Sequence, residues 1–163
     1  MTTLLTLTQV RDRFLTPAER DALVEYAATV RDRQAAAADL EAIGDAAVED
    51  CMQKMMQLYP SVPRYHTAGF EKGYRDNRIL LTYAGRSMLL NDQQLLDDQV
   101  LVWVRTLFKS FNFTPKFLRD NFTLLREAVR RRAKPRTYAL AEPFLTHIAD
   151  FLSDIPEPAK PEV

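Results

Sequence analysis

From Thr16 to Leu152 the apolar side chains recur every three or four residues, and proline is the main thing that interrupts them. That period lays them along one stripe of an α-helix, whereas a strand would need strict alternation. Glycine occurs only 4 times in 163 residues, and the Asn-Gly and Asp-Gly pairs that close hairpins are missing. Leu, Ala, Arg, Gln and Glu, which are good helix formers, are plentiful instead. The chain therefore reads as all-α, with the length of one domain whose core needs no staple.

Proline and capping residues divide the pattern. Thr16-Pro17-Ala18-Glu19 has the order of a capped helix start, with Thr16 as cap, Pro17 in the first turn and Glu19 completing a capping box. Leu23, Tyr26, Ala27 and Val30 line one stripe of the helix this opens, and the Ala35–Ala38 run extends it. A further helix is expected from about Asp39 to Leu58, with Leu40, Ile43, Ala47, Cys51, Met55 and Leu58 inward, ended by Pro60 and Pro63. Others are expected over about Phe70–Leu90, Gln94–Phe111, Pro115 onward, and Tyr138–Leu152, making about seven with the amphipathic first 15 residues. Residues 1–152 are expected to form the domain, and the proline-rich 153–163 a disordered tail.

Several function classes fall away. Basic and acidic residues balance at 22 each, which argues against a general nucleic-acid binder. One cysteine, Cys51, allows no intramolecular disulfide and no CxxC metal site, and its plain reading is a small buried apolar residue. His66 and His147 are far apart in sequence; haem ligation is a third-ranked option for them. No apolar run reaches the roughly 20 residues of a bilayer span. The N-terminus lacks the form of a secretory signal, so a cytoplasmic protein is expected. Arg130, Arg131, Arg132, Lys134 and Arg136 form the densest basic cluster, read as a solvated helix C-terminus, with an acidic partner or a propionate as the alternative contact. Without a catalytic triad, a paired-carboxylate site or a phosphate loop, the chain is not expected to be an enzyme.

Three stretches resemble phycobiliprotein subunits, the light-harvesting globins of cyanobacteria and red algae. They are Arg13-Phe14-Leu15-Thr16-Pro17-Ala18-Glu19, the run from Leu40 to Pro60, and the stretch from Arg75 to Val129. In the last, Arg75-Asp76, an aliphatic run, Tyr83, the Leu-Leu-x-Asp turn at 89–92 and Leu96-Asp97-Asp98 recur in family order. The resemblance covers about residues 9–152 and implies a globin-like helical bundle with an N-terminal helical extension. Members attach a linear tetrapyrrole (bilin) by a thioether to the cysteine of a Cys-x-Arg-Asp motif, with the Asp on the pyrrole nitrogens and the Arg on a propionate. Here the motif reads Gly73-Tyr74-Arg75-Asp76, and glycine offers no sulfur nucleophile.

The retained pair still suits a bilin: a carboxylate makes charge-assisted hydrogen bonds to pyrrole N–H groups, and a guanidinium forks onto a propionate. Lys72 and Arg78 are candidates for the second propionate, and Tyr65, Tyr74, Tyr83 and Phe70 for aromatic walls. The plainer alternative makes Arg75 and Asp76 a solvated helix turn. Gln9 and Thr82 stand where the family pairs an acid with the partner subunit's arginine, so that ion pair is missing. Trp103 replaces a small residue and is expected to alter packing near the pocket. Leu4, Leu5, Leu7 and Phe14 suggest a homodimer through the N-terminal helices. The resemblance implies non-covalent binding of biliverdin or a phycobilin, in bilin handling or biosynthesis alongside biosynthetic or antenna proteins. The alternative is a pigment-free interaction protein of antenna assembly or turnover, whose pocket Trp103 or Tyr74 would plug.

Overall fold

A computed structural model describes residues 10, 12–62 and 68–159. Its first helix, α1, runs unbroken from Pro17 to Leu58. The capping box forms as expected: the Thr16 hydroxyl accepts from the Glu19 backbone N–H, and the Glu19 carboxylate accepts from the Thr16 N–H at 2.7 Å. The break expected near Asp39 does not exist. Between Pro17 and Pro60 there is no other proline and one glycine, and the alanine run propagates the helix instead of dividing it. With 42 residues, α1 is about 63 Å long. The described residues hold five helices, fewer than the seven expected: two expected helices have merged into α1, and residues 1–9 lie outside the described part.

Only the second half of α1 belongs to the core. Ala36, Leu40, Ala47, Val48, Cys51, Met52 and Met55 are buried at three- and four-residue intervals, whereas no residue of α1 before Arg33 is. Ile43 is half-buried and Leu58 exposed, so the expected inner face holds except at its end. Helix α2 (Gly69–Leu90) packs beside it through Leu80, Leu81, Ala84 and Met88. Asn91 ends α2 in the left-handed conformation (φ 52°), which asparagine tolerates. Arg33 of α1 is buried and donates from Nε to the Leu89 carbonyl at 2.9 Å. It thereby satisfies one of the orphan acceptors at that helix end.

Asp92 caps the next element by accepting the Gln94 and Leu95 N–H groups. This helix, α3, comprises Gln93–Leu96, a π-helical stretch Asp97–Leu101, and Val102–Ser110. In the π-helical stretch the Asp97 carboxylate is hydrogen-bonded to His147 Nε2 of the last helix, so His147 is engaged structurally. Helix α4 (Pro115–Arg132) starts where expected, and the Thr114 hydroxyl caps it by accepting from the Phe117 N–H. Helix α5 (Pro135–Ser153) begins three residues earlier than expected because proline suits a first turn. Ile155, just beyond it, packs into the core. The bundle is all-α and of the globin-like type; no helix of the described residues is long and apolar enough to cross a membrane.

The basic cluster is neither a simple solvated helix end nor a free surface. Asp32, Asp39 and Asp50 lie seven and eleven residues apart, on one stripe of α1. Arg132 forks onto Asp50 with two bonds of 2.8 Å, the Lys134 N–H donates to Asp39 at 3.1 Å, and Arg136 Nη2 reaches Asp32 at 2.7 Å. These pairs fasten the α4–α5 corner to α1.

The Arg132 hydrogen bonds, opposed by partial burial, hold the Asp50 carboxyl below its ordinary 3.8. Thr137 does the same for Asp39, aided by Lys134. A carboxylate with a depressed folded-state pKa contributes stability above the unfolded pKa and loses it as pH falls through the folded one. The stability lost between pH 5 and pH 2.5 in urea titrations should therefore be smaller for Asp50→Asn than for the parent. Equal losses would remove this pair from the acid response.

Candidate functional site

Five of the nine phenylalanines fall within residues 108–122, at the end of α3, the connection and the first half of α4. Phe108, Phe111, Phe113, Phe117 and Phe122 form one wall of a cavity of about 130 Å³. Phe113 stacks on Phe117 with centroids 5.0 Å apart, and Phe108 meets Phe113 edge-on at 5.6 Å. The end of α1 supplies Met52, Met55 and Met56, soft side chains that fit an irregular surface. Behind the phenylalanine wall Tyr59 packs edge-on against Phe117 at 4.9 Å and donates to Asp120 at 2.6 Å, and Lys116 binds the same carboxylate.

The start of α2 supplies the polar rim. Lys72 and Asp76, four apart and so on one face, both line the cavity. Asp76 keeps its carboxylate partly in solvent, and its Oδ1 accepts from Arg75 Nε and Nη2 at 3.1 Å each. Deeper in, Asn77 of α2 and Asn121 of α4 exchange side-chain hydrogen bonds, Asn77 Nδ2 to Asn121 Oδ1 at 3.1 Å and Asn121 Nδ2 to Asn77 Oδ1 at 2.9 Å. The site is thus an apolar pocket with a cation and an anion at its mouth and an amide pair at its floor.

The structure brings only part of the expected set together. Lys72 and Asp76 line the cavity; Arg75 is exposed and points along the surface to its neighbour. Tyr74 is half-buried on the far side of α2, where burial and then the Asp45 carboxylate raise its hydroxyl pKa. Tyr83 is half-buried under the Arg86 guanidinium, 5.3 Å from its ring centroid, and Phe70 packs on the core. Arg78 is bound to Asp45 at 2.7 Å and to the Thr82 hydroxyl at 3.0 Å. Tyr65 and His66 lie outside the described residues, as do Leu4, Leu5, Leu7 and Gln9. Trp103 does not alter this pocket: it is 61% exposed on the outer face of α3, and neither it nor Tyr74 plugs the cavity. Sequence reasoning missed the phenylalanine wall, whose clustering was the available signal, and the Asn pair, which had none.

Gly73 explains how α1 and α2 approach here. A Cβ at this position would stand 2.5 Å from Met52 Cε and 3.2 Å from its sulfur, so Met52 occupies the space that any side chain at 73 would use. Cys51, one residue away, is buried against Asn121, with Sγ 3.4 Å from its carbonyl oxygen, and does not line the cavity. Burial pushes its thiol up to about 12, which leaves essentially no thiolate at neutral pH.

Residues 4–152 match the family described as Phycobilisome protein, and the chain belongs to that family. No curated protein matches the chain.

The Met52 contact at Gly73 comes from the far end of a flexible side chain beside an open cavity, so it yields by swinging inward. Ala is also the better helix former by about 1 kcal/mol. Gly73→Ala should therefore change stability by less than about 1 kcal/mol in urea denaturation, the repacking cost and the propensity gain offsetting each other. A crystal structure should show the Met52 tip moved into the cavity. A loss of several kcal/mol would mean that Met52 is locked.

Proposed function

From the chain's membership of the phycobilisome protein family, a family of bilin-binding light-harvesting proteins, we propose that it binds a linear tetrapyrrole without a covalent bond and acts in bilin handling rather than as an enzyme. The observation that carries this reading is the cavity itself. Its phenylalanine and methionine walls match a conjugated apolar ligand, and Asp76 and Lys72 stand at the mouth. Asp76 presents a carboxylate to pyrrole N–H groups, a charge-assisted contact that favours the protonated pigment. Lys72 meets one propionate, and Arg75 turns from Asp76 to the other. Gly73 has no sulfur and Cys51 is buried with a raised pKa, so a thioether has no nucleophile at either position.

An absorbance titration with biliverdin and phycocyanobilin should give a saturable, red-shifted band, and the pigment should separate from the protein in acidic urea. Asp76→Asn should weaken binding about tenfold or shift the band, as expected for one lost charge-assisted bond. No spectral change with either bilin would sink this reading in favour of a pigment-free role in antenna assembly or turnover.

The same reading includes a homodimer through the N-terminal arm, in keeping with a cytoplasmic antenna-associated protein. Before Arg33, α1 buries nothing within its own chain, Phe14 is 98% exposed, and Leu23 and Val24 are exposed on the arm. Sedimentation velocity should give a dimer for the parent and a monomer for Phe14→Lys/Val24→Lys. A monomeric parent at tens of micromolar would refute it.

A further inference from the structure

Asn77 and Asn121 are 3% and 9% exposed, yet they line a cavity whose other deep walls are apolar. Two amides in such a place are costly unless their hydrogen-bonding groups are used. Most are. Asn77 Nδ2 donates to Asn121 Oδ1 and to the Gly73 carbonyl at 3.0 Å, and it also lies 3.3 Å from Met52 Sδ. Asn121 Oδ1 accepts from Asn77, with the Cys51 thiol 3.7 Å away. There remain one N–H of Asn121 Nδ2 and one lone pair of Asn77 Oδ1, neither with a partner among the described residues. In a reciprocal amide pair these two groups lie on the same flank, side by side. They form one donor and one acceptor on atoms 2.9 Å apart, close enough for one amide edge to meet both.

The cavity volume narrows the range of ligands that can use that edge. An apolar cavity of about 150 Å³ holds a benzene ring, and this one measures about 130 Å³. It has room for one five-membered ring and not for a tetrapyrrole. Resting on the bilin reading above, we propose that the ligand enters end-on: one terminal lactam ring fills the cavity, its C=O accepting from Asn121 Nδ2 and its N–H donating to Asn77 Oδ1. The inner rings and propionates then lie at the mouth, beside Asp76 and Lys72. A cyclic porphyrin has no lactam edge and no free end to insert, so the floor selects open-chain tetrapyrroles. The Asn pair is a specificity-determining feature of the site, separate from the carboxylate at its mouth.

The test uses the full chain with biliverdin as probe. Side-chain amide signals of Asn77 and Asn121 are monitored by ¹⁵N NMR, and affinities are compared between the parent and Asn77→Leu/Asn121→Leu. Removing both partners together leaves no orphaned amide, so the double variant should fold. Shifts of both amide signals, together with an approximately tenfold or greater loss of affinity in a folded variant, are expected from two lost neutral hydrogen bonds. If the parent binds biliverdin but the amide signals stay still, or the folded variant binds as tightly, the lactam site is refuted and bilin binding stands. If the parent binds neither biliverdin nor phycocyanobilin, both readings fall. Should the double variant not fold, the amide shifts of the parent decide alone.

Discussion

Three of the four other helices are placed by the stripe on the second half of α1. Residues 36 to 55 of that helix present small and sulfur-bearing side chains at helical intervals, and α2, α4 and α5 all pack against them. Fully burying a large apolar side chain is worth about 1.5–3 kcal/mol, so the stripe supplies much of the free energy that opposes chain entropy here. Ala47 and Val48 are fully buried in its middle, and at its end Met52, Met55 and Met56 line one side of the cavity. The acidic stripe of Asp32, Asp39 and Asp50 holds the α4–α5 corner in register along the same helix.

One unusually small residue stands at the edge of the site. Because Gly73 lacks a Cβ, Met52 lies against the α2 backbone and the two helices meet at the cavity's edge. Asp76 and Lys72 then fall on the cavity side of α2, while Arg75 falls on the outer side and Tyr74 on the far one. Position 73 itself offers no side chain, and its space is filled by packing of Met52. An apolar ring-sized pocket with charge at the mouth and amides at the floor remains, and it suits retention of a ligand by shape and hydrogen bonding.

Much of this architecture is legible in the sequence. The capping box at Thr16, the turn at 89–92 and the helix start at Pro115 come from local chemistry, which acts over a few residues. The errors have physical causes too. Nothing local distinguishes one 42-residue helix from two collinear ones when the joint is an alanine run. Trp103 is expected to alter packing near the pocket but is exposed on the outer face of α3, off the stripe of Leu96, Val100 and Val104. The basic cluster reads as solvated until α1 brings three carboxylates to it from up to 104 residues away.

The sequence by itself determined the helical class, the positions of most helix ends, and the family. Those are properties of periodicity, capping and motif order along the chain. Only the tertiary structure decided which of the site residues share a pocket. Angular position on a packed helix separates Asp76 from Arg75 and Tyr74, though they are neighbours in sequence. Only folding pairs Asn77 with Asn121, 44 residues apart, since an amide has no reason to be found at a cavity floor until two helices have enclosed it.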